Sequence, residues 1–138
     1  MPLDMRSQSP ESDKFIEQLE LTKALVITTP MHNFNVPAAL KAWIDQVVRP
    51  QRTFERSAKG KRGMLADRPV LIIVTCGGSV TGPFGQQDFL TSYLEYVIQV
   101  VGLADIRVLR LDSMLRNPEH TAMHSRNALH GSQTRSRI

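Results

Sequence analysis

Two short, unbroken runs of apolar and β-branched residues constrain this chain most: Ala24-Leu25-Val26-Ile27-Thr28-Thr29 and Pro69-Val70-Leu71-Ile72-Ile73-Val74-Thr75. A run of this length without alternation is the signature of a strand covered on both faces. The first breaks into Pro30-Met31-His32-Asn33-Phe34-Asn35-Val36-Pro37, the second into Cys76-Gly77-Gly78-Ser79 and then Gly82-Pro83-Phe84-Gly85. Both loops hand over to helical periodicity. Pro37 stands where a missing N–H costs nothing, at a helix N-terminus. From there Leu40, Trp43, Ile44, Val47 and Val48 recur at helical spacing until Pro50 stops them. Asp88 to Val101 carries Phe89, Tyr93, Tyr96, Val97 and Val100 on one stripe and Leu90, Leu94 and Val101 on a second, with Gly102 as its stop.

The rest of the chain extends this alternation. Ser12 to Glu20 predicts a short helix, with Ser12 as N-cap and Phe15, Ile16 and Leu19 on one face. Ile106 to Leu111 predicts a third strand, interrupted by Arg107 and Arg110, and Pro118 to Leu129 a last helix. Residues 49–69, with Thr53-Phe54 and Lys59-Gly60-Lys61-Arg62-Gly63, form a long, polar, basic connection; such loops are often functional. The order is α-β-α-β-α-β-α with no internal repeat. Strands alternating with helices imply a parallel sheet with right-handed crossovers, hence a three-layer α/β sandwich of about three strands. The chain is read as one domain over 1–138, with 1–10 and 131–138 as unstructured ends. Parallel strands point their carboxyl ends one way, so residues 29–36 and 75–79 line one crevice, the place where open α/β sheets bind ligands.

Composition removes several classes of function. The single cysteine, Cys76, excludes an internal disulfide and fits a reducing, cytoplasmic compartment. No apolar run approaches the length of a membrane span, so no membrane partner is expected. The net charge of +4 is uneven: residues 1–106 hold 11 Lys/Arg against 11 Asp/Glu, whereas 107–138 hold six Arg against Asp112 and Glu119. A basic end without interleaved aromatic residues reads as a solvated tail, and no nucleic-acid partner is expected.

Other signals are weaker. His120 and His124 share a helix face, but Thr121 follows the first histidine where zinc hydrolases carry Glu, so no metal site is expected. Ser79 and Ser92 lack His/Asp partners in context. Cys76 reads as a structural thiol or, at a helix N-terminus, a reactive one. Lys59 to Arg62 is either a solvated loop or a contact for nucleotide phosphate. Gly77-Gly78 is either a plain βα turn or a place where backbone N–H groups meet a ligand without Cβ obstruction. The two-sided apolar pattern of residues 88–101 favours a buried subunit contact, with Trp43, Tyr93 and Tyr96 in core or interface.

The segment from Thr29 through Pro30-Met31-His32-Asn33-Phe34-Asn35-Val36-Pro37 to Asp45 resembles the flavin-binding segment of FMN-dependent NADH azoreductases, within the flavodoxin-like NAD(P)H:quinone oxidoreductases. The resemblance continues through Arg52-Thr53-Phe54, Val74-Thr75-Cys76-Gly77-Gly78 and Gly102 to Ile106, covering roughly residues 11–112. It implies a flavodoxin-like fold and FMN as cofactor, with NAD(P)H as co-substrate and a quinone or azo compound as acceptor. It also implies a homodimer. Pro30, Met31, His32, Asn33 and Phe34 would then lie along the ring and ribityl chain. Thr75, Cys76, Gly77 and Gly78 would meet the ring's other side, and no side chain need act as acid or base. His32 stands where the family usually carries an aromatic residue, and Cys76 where many members carry Arg. The family begins with a strand, a phosphate-binding loop, a helix and a second strand. Nothing of that kind precedes Ser12, so the chain reads as an N-terminally truncated version of the fold. The alternative is a non-catalytic or degenerate subunit that has lost FMN. On either reading the strand at 24–29 has an unpaired edge.

Overall fold

The computed structural model describes residues 9–113. The first helix, α1 (Pro10–Leu21), starts on Pro10, with Ser9 in extended conformation before it and Glu11 and Asp13 in the first turn. Those carboxylates favour the positive end of the helix dipole. Pro10, expected within a loose N-terminal stretch, is instead the first residue of this helix, and residues 1–8 lie outside the described residues. Ser12 is not the cap: it is buried, its hydroxyl donates to the Gln46 carbonyl at 2.5 Å and accepts from Arg49. A serine so near the helix start supplies an internal tie between helices, because two further residues, Pro10 and Glu11, already wind into the turn ahead of it. Ile16 and Leu19 are buried as the spacing requires, while Phe15 is half-buried.

Strands β1 (Leu25–Pro30), β4 (Val70–Thr75) and β5 (Ile106–Leu111) form a parallel sheet in the order β1-β4-β5. Leu25 pairs with Val70, and Val70 with Ile106. Among the described residues β1 is an edge strand, paired on one side only. Because side chains alternate across a sheet, Ile27, Val70, Ile72, Val74 and Val108 share one face. That face packs with Leu19 of α1, Ile44 of α2 (Ala38–Val47), and Leu90, Leu94 and Ile98 of α3 (Phe89–Val100). Val26, Leu71, Ile73, Leu109 and Leu111 lie on the opposite face and outside that core. The three described helices thus supply one covering layer of the expected sandwich. The last helix expected at 118–129 and the tail at 131–138 lie outside the described residues.

The polar, basic connection between residues 49 and 69, read as a long loop, contains a β-hairpin, β2 (Phe54–Ser57) against β3 (Gly60–Gly63). The two-residue loop Ala58-Lys59 is stabilised by the Ser57 hydroxyl and by Gly60 at φ +110°. Four-residue strands in which half the residues are charged have no hydrophobic alternation to announce them. What anchors them is tertiary: a Cβ on Gly63 would lie 2.2 Å from the Gly102 nitrogen. Only two glycines permit this crossing of backbones. Gly102 ends α3 as expected, at φ +109°. The face that α3 buries is Leu90, Leu94, Ile98 and Val101, which leaves Phe89 and Tyr96 exposed.

Arg68 is the one buried arginine among the described residues. Its guanidinium donates to the Leu19 carbonyl, to the Thr22 carbonyl at 2.8 Å and to the Ala66 carbonyl at 2.9 Å. α1 has no basic residue in its last turn; Arg68, from the loop before β4, serves its negative end instead.

Candidate functional site

Past β1 the chain makes one more ladder bond, from the Met31 amide to the Thr75 carbonyl at 2.9 Å, and then reverses. His32 and Asn35 exchange two backbone hydrogen bonds, at 2.8 and 2.9 Å. The two residues between them, Asn33 at φ +46° and Phe34 at φ +67°, are left-handed. This is a type I′ geometry, which Asn tolerates and Phe does not. The Asn35 carboxamide then accepts from the Val36 amide at 2.8 Å and leads into α2. A bulky residue held at positive φ is the kind of strain that clusters at ligand-binding turns.

The second turn follows β4. The Cys76 amide donates to the Leu111 carbonyl at 2.8 Å, and its side chain is buried in the core. Burial pushes the Cys76 thiol up from its ordinary range, and nearby Asp88 pushes the same way. Its place in the core makes it a packing residue beneath the turn. Gly77 and Gly78 then face outward. Asp112, just beyond β5, accepts from the Ser79 hydroxyl at 3.1 Å and the Val80 amide at 3.3 Å, so it holds this turn. The Gln86 amide closes the loop onto the Ser79 carbonyl at 2.9 Å.

The start of α3 joins the two turns. Asp88 caps it, accepting from the Thr91 amide at 2.9 Å and hydroxyl at 2.6 Å. Arg110 of β5 reaches the same carboxylate at 2.8 Å. Burial pushes the Asp88 carboxyl up, but the Thr91 bonds and the Arg110 charge outweigh it and hold the group below its usual value. The next residue, Phe89, donates its amide to the Phe34 carbonyl at 3.1 Å. Arg110, which interrupted the apolar pattern of β5, is therefore part of the scaffold of the site.

The two turns enclose one crevice of about 270 Å³, lined by Met31, Asn33, Phe34, Gly77, Gly78 and Gln86. Five of these were expected from sequence. Pro30 and Thr75 are the paired last residues of β1 and β4, His32 is exposed at the turn, and Cys76 lies in the core beneath, so these four do not line it. Gln86, Asp88, Arg110 and Asp112 were missed. Only Asp88 carried a local signal, as a capping residue three positions before Thr91. Phe34, Phe84 and Phe89 are respectively 50%, 99% and 55% exposed. No group of His, Cys, Asp and Glu among the described residues could hold a metal. No helix among them is long and apolar enough to cross a membrane.

A family model described as a flavodoxin-like fold matches residues 3–134 of the chain. The chain is 50% identical over 112 residues to FMN-dependent NADH:quinone oxidoreductase 2 of Cupriavidus pinatubonensis, covering 80% of this chain and 54% of that one. It is 47% identical over 109 residues to FMN-dependent NADH:quinone oxidoreductase 4 of Pseudomonas fluorescens, covering 78% and 53%. The chain thus spans about half the length of the curated relatives it matches. Among solved structures, an FMN-dependent NADH-azoreductase from Bacillus anthracis in complex with FMN superposes with a TM-score of 0.75. That match has 24% identity and covers 88% of this chain and 60% of that one. At that identity the likeness establishes shared fold.

Proposed function

The chain belongs to the flavodoxin-like fold family, and on that premise we propose that its crevice holds the ring of FMN in an NAD(P)H-dependent reductase of quinone or azo compounds. The observation that carries this reading is the convergence of two strand-end turns on one crevice walled by glycine backbone on one side and Met31 and Phe34 on the other. A flat, partly polar heterocycle needs such walls: apolar contact for its faces, hydrogen-bond donors for its edges. The amides of Asn33, Phe34, Gly77 and Gly78 make no backbone bond among the described residues and are available for those edges. The ring fits. The volume of about 270 Å³ lies under the roughly 300–1,000 Å³ of sites for whole drug-sized ligands, and no Lys or Arg lines the crevice. The described residues suit the ring and offer its phosphate no cation.

Bound flavin would supply the electron transfer; the chain supplies binding, orientation and electrostatics. Met31 and Phe34 limit water on one face. Gly77 and Gly78 allow backbone to approach the other, with Pro30, His32, Thr75 and Cys76 setting the two turns beneath. No side chain of the crevice is placed to act as general acid or base. The Lys59 to Arg62 hairpin roots at the far end of α3, beside Gly102. α3 has 12 residues, so the hairpin root is about 18 Å from the crevice end of that helix. It plays no part in this chain's own ring site.

We assign the protein to the cytoplasm and to a homodimer. The aromatic residues Phe84, Phe89 and Tyr96, exposed beside the crevice and along α3, form the pairing face. Fluorescence titration tests the ring site: quenching of FMN and of lumiflavin, its tail-free ring, is expected, with both saturating. Failure of either to bind at high micromolar concentration would remove the ring-site reading. Binding of the ring alone, without NADH oxidation, would favour the second reading, a flavodoxin-like subunit that is not itself a catalyst. Light scattering tests the pairing, and Phe89→Ser with Tyr96→Ser should shift a dimer toward monomer.

A further inference from the structure

Two carboxamides line the crevice, Asn33 on the exposed turn and Gln86, which is half-buried and holds the more enclosed position. A carboxamide offers two N–H donors and a carbonyl that can accept twice. In Gln86 the only side-chain partner among the described residues is the Met31 thioether, 3.7 Å from Nε2. Sulfur of this kind is a weak acceptor. The Oε1 atom receives no hydrogen bond among the described residues. The residue is half-buried, and its backbone is fixed by the bond to Ser79 at 2.9 Å. Its side chain therefore projects from an anchored loop into the crevice.

The carboxamide reaches both turns. On one side it meets Met31; on the other a Cβ at Gly78 would stand 3.3 Å from Oε1, so the absence of a side chain there makes its room. A polar group placed between apolar Met31 and bare glycine backbone, with its strong bonds unmade and its atoms open to solvent, can exchange water for the edge of a ligand.

We infer that Gln86 is a specificity-determining contact of the crevice, reading an N–H donor beside a C=O acceptor on the edge of a planar heterocycle. The two edges are complementary: the amide carbonyl accepts from the ring N–H while Nε2 donates to the ring carbonyl. On ligand entry the weak Met31 contact is exchanged for this pair. The inference rests on the ring-site reading, since the imide edge of the flavin ring is one that carries that pattern. An aromatic ligand with no such edge gains nothing from Gln86.

Lumiflavin and 3-methyl-lumiflavin test it, because they differ only at N3, which carries the N–H that Gln86 would read in one and a methyl group in the other. Dissociation constants come from flavin fluorescence quenching on the full chain. The wild-type chain should prefer lumiflavin by about tenfold, the worth of roughly one good hydrogen bond. Gln86→Ala, and the similar-sized apolar Gln86→Met, should each lose about that factor for lumiflavin and bind the two rings equally. Far-UV circular dichroism and the melting midpoint confirm that both variants fold, and if one does not, the other decides. Equal weakening of both rings, or an unchanged preference in a folded variant, would overturn the role of Gln86 while leaving the ring site intact. Binding of neither ring by the wild-type chain would instead overturn the ring site, and this inference with it.

Discussion

Replacing Arg68 tests the packing of α1 on the sheet. The guanidinium is buried, and its bonds run to backbone carbonyls and one hydroxyl, not carboxylates: the carbonyls of Leu19, Thr22 at 2.8 Å, Ala66 at 2.9 Å and 3.1 Å and, more weakly, Glu20 at 3.4 Å, with the Thr22 hydroxyl at 3.3 Å. In Arg68→Ala the Leu19 carbonyl keeps the Thr22 hydroxyl at 2.8 Å and the Thr22 amide at 3.3 Å. The carbonyls of Thr22 and Ala66 lose the donors shown for them. Both residues are exposed, so water can reach them and each loss falls at the lower end, about 1 kcal/mol. Removal of the buried side-chain stem adds about 1 kcal/mol. The total is about 3 kcal/mol. Arg68→Met keeps the stem but no donor and should cost about 2 kcal/mol; Arg68→Lys keeps one donor group without the planar fork and should cost about 1 kcal/mol. Urea denaturation with an unchanged slope measures these differences. Because Arg does not titrate and its bonds are to carbonyls and a hydroxyl, the loss should be level between pH 5 and 9. The reasoning fails if Arg68→Met matches or exceeds the wild-type stability, for burial of the charge would then outweigh its hydrogen bonds.

Gly102→Ala should destabilise by about 2 kcal/mol or more in the same assay, since φ is +109° and the added Cβ would lie 2.7 Å from the Leu65 carbonyl oxygen; a neutral result would contradict the close crossing with Gly63. Asp88→Asn should cost about 1 kcal/mol at pH 7 through the lost cap and ion pair. Asp88 has a depressed folded value, so its contribution is complete above the ordinary carboxylate pKa of about 3.9 and is lost as pH falls through the folded value; wild type and variant should converge in acid, and a gap that persists at pH 2 counts against the pairing with Arg110. Phe34→Gly relieves a left-handed strain of about 1–2 kcal/mol while giving up a half-exposed ring and adding backbone freedom. Stability should change by under about 1 kcal/mol while lumiflavin affinity falls about tenfold; a collapsed melting midpoint with unchanged affinity would assign Phe34 to the scaffold instead.

The strands at 25–30, 70–75 and 106–111 and the helices after each crevice turn were legible because each is written in a local period. Short apolar runs and 3.6-residue spacing need no knowledge of what lies opposite. The crevice was legible for a related reason: parallel strands must end together, so two loops following two such strands must be neighbours. That placed residues 29–36 and 75–79 beside one crevice from order alone, but not which of them line it: Met31, Asn33, Phe34, Gly77 and Gly78 do, and Pro30, His32, Thr75 and Cys76 do not. Tertiary structure decided what local period could not. The pattern of α3 was apolar on two sides, and only the sheet chose Leu90, Leu94 and Ile98 as the buried side. The hairpin at 54–63 lacked an apolar alternation and is held by the meeting of Gly63 with Gly102. Arg68 caps a helix 49 residues away from it in the chain, Asp112 fixes a turn 33 residues away, and Gln86 meets Met31 across 55. Periodicity reports the face a residue presents within its own element. The partner that face meets is set by how the chain closes, and of the polar groups that hold this crevice Arg110, Asp112 and Gln86 are of that second kind, while Asp88 alone had a local partner in Thr91.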